Sequence, residues 1–134
     1  MNKMKAYLIV LLISLCFFSC DKQFSSEFVF EIGDKHELED QWTLRLLDIP
    51  EDSRCPLLAQ CVWPGRIITD FELRHFDLIS PFSLSLGAKT EVPTDTVIGD
   101  FYFELLSVDP YPDVEIITDK SKYRVSIKVE SMSD

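Results

Sequence analysis

Glycine, histidine and positive charge are all scarce in this chain. The four glycines, at 33, 65, 87 and 99, stand far apart. No glycine-rich loop of the kind that cradles phosphate can be drawn from them. Histidine occurs only at 36 and 75. Nucleophilic catalysis needs a base beside its nucleophile, and neither histidine has a Gly-x-Ser-x-Gly or comparable motif nearby. Each is expected to be a solvated residue at a strand edge, and no catalytic residue is assigned. Thirteen Lys and Arg stand against 23 Asp and Glu, a formal net charge of −10. That balance argues against a nucleic-acid partner. Sustained helical periodicity is also missing. The longest apolar run, Ala6 to Phe18, is interrupted only by Ser14 and is too short to cross a bilayer comfortably.

That run has the length of a signal-peptide hydrophobic region, and Lys3 and Lys5 supply the positive charge that precedes one. It stops at Ser19-Cys20. The arrangement resembles a bacterial lipoprotein signal, in which a small residue precedes a cysteine that is acylated on its thiol and becomes the first residue after cleavage. The resemblance implies a signal peptide over residues 1–19 and lipidation, with palmitate-type chains, at Cys20. An ordinary secretory signal or an uncleaved anchor would export the domain equally. Two or more acyl chains would hold it firmly on a membrane. Residues 20–27 then read as the lipidated cysteine and a polar tether, and 28–131 as the folded domain. Loss of Lys3 and Lys5 takes the formal charge from −10 to −12. A body so acidic is repelled by anionic lipid and is expected to stand off the membrane.

The body reads as strands. Phe28 to Ile32, Trp42 to Ile49, Arg66 to Arg74, Phe82 to Leu86, Phe101 to Val108 and Lys122 to Glu130 each alternate apolar with polar residues and are rich in aromatic and β-branched side chains. Shorter candidates lie near Lys35, Val97 and Ile116. Turn residues fall between them at Gly33-Asp34, Gly87, Gly99-Asp100, Asp109 to Asp113 and Asp119 to Ser121. The pattern predicts one all-β domain, an antiparallel sandwich of immunoglobulin-like size, with a small barrel as the alternative. Its expected core includes Phe28, Phe30, Trp42, Leu44, Phe71, Phe103, Val125 and Ile127.

With Cys16 lost in the signal and Cys20 acylated, only Cys55 and Cys61 remain in the body. An even pair in an exported domain reads as a disulfide. Six steps of helix or strand would hold the two Cα atoms too far apart to bond. The chain between them must therefore curl back, with Pro56 placed to open a single helical turn through Gln60. A zinc site would need His36 and His75 as further ligands, and a redox pair would have closer spacing. No metal or cofactor is expected.

Asp52-Ser53-Arg54-Cys55-Pro56, four residues, then Cys61-x-Trp63-x-Gly65 resembles the hallmark of a family of small, largely uncharacterised bacterial lipoproteins. There the motif lies between two β-strands. Leu57, Leu58 and Ala59 stand where polar residues are usual in that family. The resemblance implies an all-β lipoprotein and brings no activity with it. On the residues themselves, Asp52 can pair with Arg54 or accept backbone N–H groups. Trp63 is expected to pack on the disulfide, the alternative being an exposed aromatic platform. Asp52, Arg54, Pro56 and Trp63 are the candidate binding loop. The function these features predict is that of a non-catalytic lipoprotein of the bacterial cell envelope. Its loops would bind a protein or a glycan, and the membrane contact would be the N-terminal lipid. The alternative is an inhibitor of an exported hydrolase acting through the stiffened loop. Outer-membrane, periplasmic and surface locations all fit Asp21 after the cysteine.

Overall fold

The computed structural model describes residues 23–88 and 91–132. The signal segment and Cys20 lie outside the described residues. Eight strands follow in order: β1 (Ser25–Phe30), β2 (Lys35–Glu37), β3 (Thr43–Asp52), β4 (Arg66–His75), β5 (Leu78–Gly87), β6 (Asp95–Ile98), β7 (Phe101–Asp109) and β8 (Arg124–Ser131). They form two four-stranded antiparallel sheets, ordered β1-β8-β7-β6 and β2-β3-β4-β5. The fold is a β-sandwich and not a closed barrel. β1 begins at Ser25, inside the stretch that reads as tether in the sequence. Among the described residues no helix is long and apolar enough to cross a membrane.

Alternation builds the core. Leu44 and Leu46, Ile67, Phe71 and Leu73, Phe101, Phe103 and Leu105, and Val125, Ile127 and Val129 all point inward and are buried. Rings join the sheets. Phe30 meets Phe71 edge-on at 5.8 Å, and Phe82 meets Phe103 at 4.9 Å. Phe28 and Trp42, expected in the core, are partly buried and pack against its margin. Two strands break their period. Register shifts on either side of Asp48 bring Ile49 inward three residues after Leu46, and a shift after Leu105 does the same for Val108. Each extra residue bends its strand around the core. The stretch near Ile116 forms no strand, and the first half of β5 extends beyond the predicted segment.

Strand direction defines two ends. Ser25 pairs with Glu130 and Phe101 with Ser131. Trp42, just ahead of β3, packs edge-on against Phe101, and His75, the last residue of β4, stacks on Trp42 at 4.4 Å. The chain therefore enters at the end that carries the His75–Leu78 hairpin. Asp52, Arg66, Gly87, Asp109 and Arg124 lie at the opposite end, about 30 Å away along strands of ten residues. The cysteine loop and the long β7–β8 connection both belong to this far end.

Candidate functional site

At the far end β3 finishes at Asp52, and Arg54 turns inward between the sheets. Its Nε and Nη2 donate to the two carboxylate oxygens of Asp52, each at 2.8 Å. Its Nη1 donates to the Val108 carbonyl at 2.6 Å, and Nη2 also donates to that of Pro110 at 3.1 Å. The guanidinium carbon stands 4.8 Å from the centre of the Tyr111 ring. Tyr123, immediately before the last strand, donates its hydroxyl to Asp52 at 2.6 Å. The Arg54 backbone N–H reaches the same carboxylate at 3.3 Å. Both roles open to Asp52 in the sequence, pairing with Arg54 and accepting backbone N–H, are therefore filled together. The pair ties the β3–β4 loop of one sheet to the β7–β8 connection of the other.

Burial shapes the electrostatics of this clamp. Only 7% of the Arg54 side chain and 11% of the Asp52 side chain are exposed. Burial alone would raise the Asp52 carboxyl, but hydrogen bonds from Arg54 and Tyr123 outweigh it and hold the group below its usual value. Burial opposes the Arg54 charge as well, and Asp52 overcomes it, so the guanidinium is held still more firmly protonated. Burial, then the hydrogen bond and charge of Asp52, push the Tyr123 phenol up to about 12. Local reading of the sequence could not assemble this group, because Asp52 and Tyr123 are 71 positions apart. One signal was present: a tyrosine on an inward-facing strand position needs a partner for its hydroxyl.

Just outside the clamp the backbone closes tightly. Ser53 N–H donates to the Arg66 carbonyl at 2.8 Å, and Cys55 N–H to that of Pro64 at 3.2 Å. Gly65 has φ +67°, and a side chain there would overlap the Ser53 carbonyl. Its place in the motif is thus a packing requirement. Glu51 and Arg66 pair through two hydrogen bonds, at 2.9 and 3.0 Å, across the base of the loop.

Cys55 and Cys61 are disulfide-bonded, with Cα atoms 5.9 Å apart. The segment between them is a β-turn and not the predicted helical turn: Ala59 N–H donates to the Pro56 carbonyl at 3.2 Å, and Leu58 has φ +65°. A turn with positive φ at its third residue normally takes glycine there. Leu58 fills the position with its side chain 95% exposed. Trp63 overturns the packing expectation. It is 79% exposed, and Val62 beside it 89%. The physical reason is that Arg54 and Asp52 occupy the space beneath the loop. The disulfide itself lies toward solvent, so it offers no buried surface for the indole to cover.

A second loop extends this apolar surface. Leu57 N–H donates to the Pro112 carbonyl at 2.9 Å, which lays the cysteine loop against the β7–β8 connection. There Val114, Ile116 and Ile117 are exposed, Ile117 completely. Below the two loops a cavity of about 250 Å³ opens between Pro64, Leu86, Leu106, Val108 and Tyr111. Charge is divided between the loops. Cys55 to Gly65 contains none, and Asp109 to Asp119 carries Asp109, Asp113, Glu115 and Asp119 without a Lys or Arg.

Both histidines are half-buried against aromatic rings rather than fully solvated, and His36 does lie on an edge strand, β2. His36 bridges the sheet edges, with a ring nitrogen 3.2 Å from the Val29 carbonyl and its ring edge-on to Phe30. His75 lies between Trp42 and Phe76. Among the described residues no group of three or more His, Cys, Asp or Glu converges as a metal site would require. No family model, curated protein or solved structure matches the chain.

Proposed function

We propose that this protein is an exported, lipid-anchored binding module without catalytic activity, and that the far end of its sandwich is the binding surface. The observation that carries this reading is the exposure of Leu58, Val62 and Trp63 on the cysteine loop and of Ile116 and Ile117 on the connection that Leu57 lies against. Large apolar side chains gathered on adjoining loops mark interaction sites. The loops that hold them are stiffened by a disulfide, the Arg54–Asp52–Tyr123 clamp and the tight Gly65 approach. Rigidity of this kind lowers the ordering cost of association. The lipoprotein signal supports attachment through Cys20, at the end where the chain enters. The motif shared with small bacterial lipoproteins supports the same class, and an envelope location follows from both. Both histidines pack against aromatic rings, which suits a structural place for them.

The test is photocrosslinking in cells that make the full chain. A benzophenone side chain in place of Leu58 or Val62 is expected to give a discrete adduct. The same group at Val29, exposed on the outer edge of β1, is expected to give none. Equal labelling from all three positions would remove the case for a binding end. The protruding loop also favours the second reading, an inhibitor that inserts it into the cleft of an exported hydrolase. Inhibition of an envelope protease or glycosidase that disappears with Trp63→Ala would select that version.

A further inference from the structure

The far end exposes large apolar side chains, and four occupants are chemically conceivable: a glycan, a bilayer, a second copy of the chain, or another protein. We infer that the occupant is a protein whose apolar cleft is bordered by Lys and Arg. This rests on the reading of the far end as a binding surface, and it assigns the partner's chemistry. A glycan platform needs polar side chains around its aromatic ring to hold sugar hydroxyls. On the loop that carries Trp63, Cys55 to Gly65, the polar side-chain groups are those of Gln60 and the indole itself, the cysteines aside, and the carboxylates belong to the neighbouring connection. A phospholipid surface favours neutral or basic loops. Here the connection that Leu57 lies against carries Asp109, Asp113, Glu115 and Asp119, and none of these is in a salt bridge among the described residues. Of the cations next to this connection, Lys120 is turned to Asp48 at 3.1 Å, Arg124 stands opposite Asp109 in the strand register, and Lys122 acts on Asp119, so the unopposed charge rests on Asp113 and Glu115. Arg54, the one cation beneath the cysteine loop, is neutralised by Asp52. A second copy would set the same carboxylates against themselves in a symmetric tip-to-tip dimer. An apolar cleft with a basic rim matches both features at once, since complementary rim charge steers and selects partners.

The surface also suggests how such a partner would seat. Trp63 and Leu58 project from the cysteine loop as anchors. The cavity lined by Pro64, Leu86, Leu106 and Tyr111 lies beside them and can accept a side chain in return. Paired anchors and pockets at the centre of an interface carry most of its binding energy.

The deciding experiment uses the full chain in its own cells, with the benzophenone group at Val62. Two variants are compared with the parent: Trp63→Ala, and the charge reversal Asp113→Lys/Glu115→Lys/Asp119→Lys. The Trp63→Ala variant is expected to cut adduct yield about thirtyfold, the scale of an aromatic hot spot. Charge reversal is expected to cut it about tenfold or more, as like charges are brought together. The crosslinked peptide of the partner is expected to lie beside Lys or Arg. Far-ultraviolet circular dichroism of each variant confirms that the sandwich is retained. An adduct unaffected by charge reversal would overturn the basic-rim assignment while leaving the binding surface standing. An adduct of the chain with itself would replace the partner by a second copy. No adduct, with Trp63 fluorescence quenched by brominated phospholipid in vesicles, would replace it by a bilayer. No adduct and no quenching would remove the binding surface itself.

Discussion

Two kinds of residue at the far end show opposite relations to stability. Arg54 and Asp52 are buried and mutually satisfied. Arg54→Ala leaves a buried carboxylate without its partner and is expected to cost about 3–5 kcal/mol in urea unfolding. Arg54→Lys is expected to recover only part of that, because an ammonium cannot reach Asp52, Val108 and Pro110 in one plane. Leu58 is the reverse case. Its positive φ strains a bulky side chain that contacts mostly water. Relief of roughly 1–2 kcal/mol of left-handed strain, less the roughly 0.5–1 kcal/mol entropic cost of glycine, makes Leu58→Gly stabilising by up to about 1.5 kcal/mol. The same change is expected to weaken the crosslinked complex. Gain in thermal stability with loss of binding would identify Leu58 as kept for its contact. The pH profile reports on the same clamp. The Tyr123 phenol is raised from 10.0 to about 12 in the folded state. Its contribution is complete below pH 10 and is lost as pH rises toward 12. The Asp52 carboxyl is lowered from 3.8, so its contribution is present above that pH and is lost as pH falls below it. Tyr123→Phe is expected to flatten the alkaline loss in a series of unfolding curves. A residue of it should persist, because burial and then Asp95 also raise Tyr102.

At the scale of elements, the alternating patterns were legible and their interruptions were not. β4 and β8 alternate without a break, and the predicted inward residues of both are buried. β3 and β7 carry bulges, which change phase without any marker residue at the site, so Ile49 and Val108 were not assignable to the core. The β4–β5 hairpin was also hidden. Its two loop residues are Phe76 and Asp77, and Phe76 has φ +51° where short hairpins usually place glycine or asparagine. The short strand candidate near Ile116 forms no strand and belongs to the long β7–β8 connection. The cysteine loop is the element whose stiffness can be tested directly. Removing the bridge with Cys55→Ser/Cys61→Ser is expected to cost about 2 kcal/mol by loop closure. Adduct formation through Val62 should fall by more than stability alone accounts for, because the freed loop must be ordered on binding. An unchanged yield in the folded double variant would show that the bridge serves stability only.

Across the whole molecule, the topology separates the two ends by the length of a ten-residue strand. Cys20 precedes Phe24 by four positions, a reach of at most about 14 Å. Acylation there would place the membrane at the entry end and leave Trp63 facing away from it. Cys20→Ala is expected to move the protein from the membrane to the soluble fraction and to abolish incorporation of a labelled fatty acid. Retention on the membrane without label would point to an uncleaved anchor instead. The amino-acid sequence by itself determined that the domain is all-β and that Cys55 and Cys61 bond. Period-two alternation and cysteine spacing are local properties, and local sterics and redox context decide them. Only the tertiary structure decided which way Trp63 points. A side chain faces inward only where the fold leaves room for it, and that room is filled by an arginine whose partners, Val108, Pro110 and, through Asp52, Tyr123, come from the other sheet.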